Sequence, residues 1–184
     1  RDPTTGHAVA KWVDDIITRG SREATDKFWS KMEKRWALKS WGYITPDSPR
    51  TFCSKKISVE KKPDGIRWYS ITQEDDIRQW LVDMGVTGMR PVSTPMTSRE
   101  ELYSNTILLG SEDASKAQSI LGSLQYYAKE WRWDIAAAVN IIAQTVKEPT
   151  EGTRKAVNRV LAYLVGTMDF KLWVPRTKGT VRDF

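Results

Sequence analysis

The sequence predicts an α+β chain, with antiparallel hairpins plus helix in its first part and an all-helical bundle in its second. Three observations carry this. Strand-like runs bounded by turn residues occur at 7–18 and 52–71. From 111 to 167, apolar residues recur at the three- and four-residue spacing of helix faces. Between them, "GMRPVSTPMTSREELYSNTILL" (88–109) is proline-bearing and reads as an irregular connector. The expected divisions are 1–71, 72–110, 111–167 and a closing strand and linker over 168–184.

Residues 7–13 and 16–18 are β-prone runs flanking Asp14 and Asp15, which fits a tight hairpin with the two aspartates as its turn. Ser21 is a candidate N-cap for a helix over 22–37. Ala24, Phe28, Met32 and Trp36 give that helix an apolar face, while Lys27, Lys31, Lys34 and Arg35 lie largely on the others. "WGYITPDSPR" is turn chemistry. Phe52–Val59 then pairs with Ile66–Ile71 around Pro63–Asp64–Gly65, with Cys53 as a small buried hydrophobe of the strand.

Thr72 is expected to open a helix, with Asp75 three residues on as in a capping box. Ile77, Trp80, Leu81 and Met84 form its stripe, and Gly85 is the expected stop. Residues 113–130 present Ala117, Ile120, Leu121, Leu124 and Ala128. A second helix spans 134–147. Thr150 caps a third, with Ala156, Val157, Val160, Leu161 and Leu164 inward and Gly166 as its end. A short strand follows at 169–174.

Composition removes several kinds of chemistry. One cysteine, Cys53, allows no internal disulfide, and with a single histidine, His7, no structural zinc site assembles. His7 and Cys53 sit in unrelated contexts, which argues against a Cys–His nucleophile. No apolar run approaches the roughly 20 residues that span a bilayer, and the N-terminal stretch lacks a signal-peptide layout. An intracellular protein, of cytoplasm or nucleus and not secreted, is expected. The abrupt start, without an initiator methionine, is expected of a piece of something longer.

The net charge of +6 is unevenly placed, with seven Lys/Arg against three Asp/Glu from Arg19 to Lys39 and six against two from Arg50 to Arg67. Such stretches suit nucleic acid, an anionic surface or simply a solvated face.

The adjacent aspartates admit two readings. A "DD" turn is often no more than solvated. Equally, a hairpin tip lifts carboxylates from the sheet, where, with a third from elsewhere, they hold Mg²⁺, which takes oxygen ligands from carboxylates, water and phosphates. Trp131 and Trp133 flank Arg132 in a cluster that suits a helix corner better than base stacking. Asp75 and Asp76 favour a helix N-terminus and need no other role.

"WVDDII" (12–17) resembles the Tyr-x-Asp-Asp catalytic hairpin of reverse transcriptases. The segments "VDDIITRGS" (13–21), "VSTPM" (92–96), "ILGSLQYYA" (120–128), "DIAAAVNIIAQ" (134–144) and "PTEGTRKAVNRVLAYLVGT" (149–167) resemble, in order, the copia-type retrotransposon polymerases. The resemblance implies the later part of a polymerase palm, then thumb and connecting helices, ending near an absent ribonuclease H domain.

It makes Asp14 and Asp15 the ligands of catalytic Mg²⁺ and puts Trp12 where the family has tyrosine, with Val13 beside it at the substrate. The 52–71 hairpin matches the placement of the element that holds the primer end. Lys27, Lys31, Lys34, Lys55, Lys56, Arg154, Lys155 and Arg159 become candidate phosphate contacts to a template–primer, since Lys and Arg supply sequence-independent affinity.

The implied partners are template–primer, dNTP and the rest of the Pol polyprotein or another chain. The family's upstream metal-binding aspartate and its fingers are not in the sequence, and Lys11 puts a charge where apolar packing is expected. The chain alone is therefore expected not to polymerise. The alternatives are a nucleic-acid-binding module without chemistry, or a co-opted protein docking through Trp29, Trp36, Trp41 and Trp80.

Overall fold

A computed structural model describes residues 4–175, except 5, 39, 62, 64, 66 and 97. The chain divides into two compact units, residues 1–72 with 171–184 and residues 73–170. The described residues form an α+β protein with two antiparallel sheets and six α-helices. None of those helices is long and apolar enough to cross a membrane.

The first unit opens with a two-stranded sheet, β1 (Ala8–Trp12) against β2 (Asp15–Arg19). Helix α1 (Arg22–Glu33) starts where Ser21 Oγ accepts from the Ala24 N–H, as an N-cap should. It stops before the expected 37, because the Arg35 and Trp36 N–H groups converge on one carbonyl, that of Met32. Trp29 donates from Nε1 to Thr18 Oγ1 at 3.2 Å, tying α1 to β2.

A four-stranded sheet follows, ordered β3 (Arg50–Phe52), β4 (Lys55–Lys61), β5 (Arg67–Thr72) and β6 (Leu172–Pro175). The single strand expected from Phe52 is therefore two, and Cys53 lies in the turn between them. Asp64 and Ile66, expected in the second hairpin, lie outside the described residues. So does 176–184, read from sequence as a linker. The closing strand begins at 172, later than expected, and pairs Leu172 with Ile71 and Trp173 with Ser70.

The second unit is built on α2 (Glu74–Asp83), α4 (Ser111–Glu130), α5 (Ala136–Ala143) and α6 (Glu151–Thr167), with a short α3 (Arg99–Ser104). Gln73, not Thr72, is the N-cap of α2, and Thr72 is the last residue of β5. Glu74, Asp75 and Asp76 occupy the first turn, where negative charge meets the helix dipole. Gly85 ends the helix at φ +67°, with Val86 N–H on the Leu81 carbonyl and Gly85 N–H on that of Val82, a Schellman closure.

The connector read as irregular contains α3, capped by Ser98 Oγ on the Glu101 N–H. The helix expected over 134–147 is a 3₁₀ turn (Trp133–Ile135) followed by α5. Thr150 and Thr153 form a reciprocal capping box that starts α6. Gly166 does not end α6, which runs to Thr167; a Cβ at 166 would come within 2.9 Å of Pro91 Cβ, so close approach is what glycine serves there.

One cluster fills this unit, with Leu121 and Leu124 of α4, Ile135, Val139 and Ile142, and Val160, Leu161 and Leu164 of α6 all buried. Each such side chain contributes about 1.5–3 kcal/mol on burial.

Candidate functional site

The register of β1 and β2 decides how the aspartates are presented. Trp12 pairs with Asp15, so the two-residue loop is Val13–Asp14, one residue earlier than the expected Asp14–Asp15 turn. Val13 has φ +52° while Asp14 does not enter positive φ, the pattern of a type II′ hairpin. Glycine ordinarily fills that first position. A β-branched residue held there costs about 1–3 kcal/mol.

The consequence is local and chemical. Val13, 76% exposed, stands at the apex, and Asp14 projects from the loop into solvent. Asp15, the first residue of β2, is also exposed. Directly paired residues share a face of the ribbon. The Trp12 indole, 65% exposed, therefore stands on the same side as the Asp15 carboxylate.

A second tight turn sits beside the first. Phe52 pairs with Lys55, leaving Cys53 and Ser54 as a two-residue loop with φ +50° and +59°, the type I′ pattern. The Cys53 N–H points at Asp15 Oδ2 at 3.4 Å, and Lys55 Nζ donates to the Cys53 carbonyl at 3.4 Å. The structure thus gathers Asp15, Cys53 and Lys55 around two hairpin tips. No turn signal such as Asn-Gly marks Cys53–Ser54 in the sequence, so this neighbour of Asp15 was not legible there.

The donor set suits Mg²⁺ in part. Two exposed carboxylates on consecutive residues match an ion that takes one or two protein carboxylates and completes its shell with water and phosphate. Among the described residues no third His, Cys, Asp or Glu joins them in a metal-sized group.

The remaining candidates divide between the units. Lys27 and Lys31 are exposed on α1 and Lys34 at its C-cap, on the face opposite the buried Thr25. Lys55 and Lys56 are half-buried in β4. Arg154, Lys155 and Arg159 lie on α6; Arg154 is tied to Glu151 at 2.5 Å, and Arg159 donates to Thr94 Oγ1 at 3.0 Å. Of the tryptophans weighed as a docking patch, Trp36 and Trp41 are exposed, whereas Trp29 and Trp80 are half-buried.

Arg132 is structural. Only 2% exposed, it grips Asp134 bidentately at 2.6 and 2.9 Å, donates to the Thr167 carbonyl and hydroxyl, and lies over the rings of Tyr163 and Phe170. Burial pushes the Asp134 carboxyl upward, but hydrogen bonds from Arg132 and Tyr163, with the Arg132 charge, hold it below the usual carboxylate value.

Comparison with known proteins places the chain. It is 34% identical to the retrovirus-related Pol polyprotein from transposon RE1 of Arabidopsis thaliana over 90% of its length, spanning 10% of that protein. It is 29% identical to an uncharacterized mitochondrial protein of the same plant, AtMg00810, over 94% of this chain and 68% of that one. It is 23% identical to the putative transposon Ty5-1 protein YCL074W of Saccharomyces cerevisiae, over 86% of this chain and 49% of the yeast protein. No family model and no solved structure matches.

Proposed function

We infer, for a chain that belongs to the retrotransposon Pol family, that it is a palm and thumb segment of a copia-type RNA-directed DNA polymerase, with the 8–19 hairpin as the metal-holding element. The observation that carries this reading is the pair of exposed carboxylates on a tight hairpin whose apex valine is held at positive φ. Asp14 and Asp15 would hold Mg²⁺, the ion that activates a primer 3′-oxygen and neutralises the charge leaving with pyrophosphate.

Each neighbouring residue has a role within the hairpin. The Cys53 N–H orients Asp15. Trp12 and Val13 form an apolar rim beside the carboxylates, against which a nucleotide or primer end would rest. Lys55, on the carbonyl of the same Cys53, adds positive charge near the tip. Two carboxylates hold a divalent ion weakly, so activity belongs to a longer form that supplies a third, in the cytoplasm or nucleus.

Primer extension by such a form, or by this chain complemented with the upstream palm and fingers, tests the reading. Asp14→Ala and Asp15→Ala should each lower extension by 10³-fold or so. Extension unchanged in both variants rejects the metal role. A second reading, nucleic-acid binding without chemistry, is favoured by the exposed Lys27, Lys31 and Lys34, which share one face.

A further inference from the structure

Charge separates the two units. Residues 1–72 and 171–184 carry 19 Lys/Arg against 10 Asp/Glu, a surplus of nine positive; residues 73–170 carry 10 against 13, a surplus of three negative. Four of the ten cations of the helical unit are also paired with carboxylates. Arg78 pairs with Glu74, Lys116 with Glu112, Arg154 with Glu151, and Arg132 is buried on Asp134. A unit of net negative charge repels a polyanion.

Helix α1 is the opposite case. Lys27, Lys31 and Lys34 recur at i, i+4 and i+7, one exposed stripe turned away from buried Thr25, and no described carboxylate is paired with them. Tyr43 lies against α1, since its hydroxyl reaches Asp26 at 2.5 Å and Arg22 lies 5.2 Å over its ring. Trp36 is 49% and Trp41 65% exposed, with Arg35 stacked 5.0 Å from the Trp36 ring. Exposed rings beside unpaired lysines are what splayed bases and their phosphates require, while a duplex hides the base faces.

We propose that the nucleic-acid surface of this chain is the α1 lysine stripe with the exposed aromatics Trp36, Trp41 and Tyr43, that its ligand is a single strand, and that the helical unit supplies no grip. This rests on the Pol reading only in that the chain handles nucleic acid. It does not require the aspartates to act.

The test is fluorescence anisotropy of a labelled oligothymidylate with the full chain in EDTA, over a salt series. Lys27→Gln/Lys31→Gln/Lys34→Gln should weaken binding tenfold or more at low salt. It should also flatten the log–log salt slope by about two, since each single-strand phosphate contact contributes roughly 0.7. Trp36→Ala/Trp41→Ala should weaken binding about thirtyfold or more with the slope kept, because each ring would stack a base. Arg154→Gln/Lys155→Gln/Arg159→Gln should leave affinity within about twofold.

Circular dichroism checks that each variant folds. The exposed lysine triple decides the matter even if the tryptophan pair does not fold. Loss in the α6 triple equal to that in the α1 triple overturns the proposal. So does a chain that ignores the oligonucleotide while binding phosphatidylserine vesicles through the same lysines. Binding is read in EDTA and the polymerase reading by primer extension, so a failed polymerase reading and a failed binding surface give different results.

Discussion

The helical unit buries fifteen side chains in one contiguous cluster, whereas in the β unit Val59 is the lone buried hydrophobic among the described residues. The difference lies in what each sequence can cover. In α4 and α6 the apolar residues fall on one stripe, and neighbouring helices close over it. In the β unit, β4 alternates Ile57 and Val59 with Lys56, Ser58 and Glu60, and most residues of β2, β4 and β5 remain half-buried. The buried core therefore lies in the helices, and the exposed aspartate pair lies in a hairpin. A unit with little core has surface to spare for ligands, and it opens more easily.

The sharpest way to break that contrast is at Arg132. Arg132→Ala should destabilise the helical unit by about 3–5 kcal/mol, because Asp134 and the Thr167 carbonyl lose their donor inside the fold. Urea unfolding with hydrogen exchange resolved by segment would localise the loss to 73–170. A loss below about 1 kcal/mol would mean the guanidinium is not a strut.

Leu161→Ala, at a fully buried position, should cost about 2–5 kcal/mol, and the same truncation at half-buried Ile57 in β4 clearly less. Equal costs would erase the distinction between the units.

Val13→Gly removes a positive-φ penalty and should stabilise the β unit by at most about 1 kcal/mol, since glycine adds unfolded-state entropy. Thermal unfolding of the hairpin, followed by NMR, reads this. A clear loss instead would show that the valine side chain is held by contacts that outweigh its backbone strain.

The smallest effect is electrostatic. The Asp134 carboxyl, held below 3.8 in the fold, contributes stability above that value and loses it as pH falls through its lower folded value. Acid titration of stability should show this fall in the native chain and a flatter curve in Arg132→Ala. A curve unchanged by the substitution would remove Arg132 as the cause.

Legibility followed the same division. The stripes of α4 and α6, the Ser21 and Thr150 caps and the Gly85 stop were readable because each is a local pattern. Gly166 misled, since a glycine that admits Pro91 looks in sequence like one that ends a helix. Helix α3 hid in a stretch punctuated by prolines, where only Ser98 marked it.

The site was legible as residues and misplaced as geometry. "DD" invited a turn at Asp14–Asp15, but strand pairing from Ala8 to Arg19 fixed the loop one residue earlier, against the local preference of valine. The turn at Cys53, its N–H on Asp15 and the pairing of β6 with β5 are long-range or unsignalled, and single-chain patterns do not encode them.

The pairing of Ile71 with Leu172 has a consequence for birth on the ribosome. At about 5–20 residues per second, Leu172 follows β5 from the exit tunnel only after several seconds. During that interval the free side of β5 is an open template, while residues 73–170 are still emerging and can collapse only as the last of them appear. Nascent chains should thus pass through a stage with a finished insert between halves of an unfinished sheet, and a premature stop near residue 170 would leave that stage permanent.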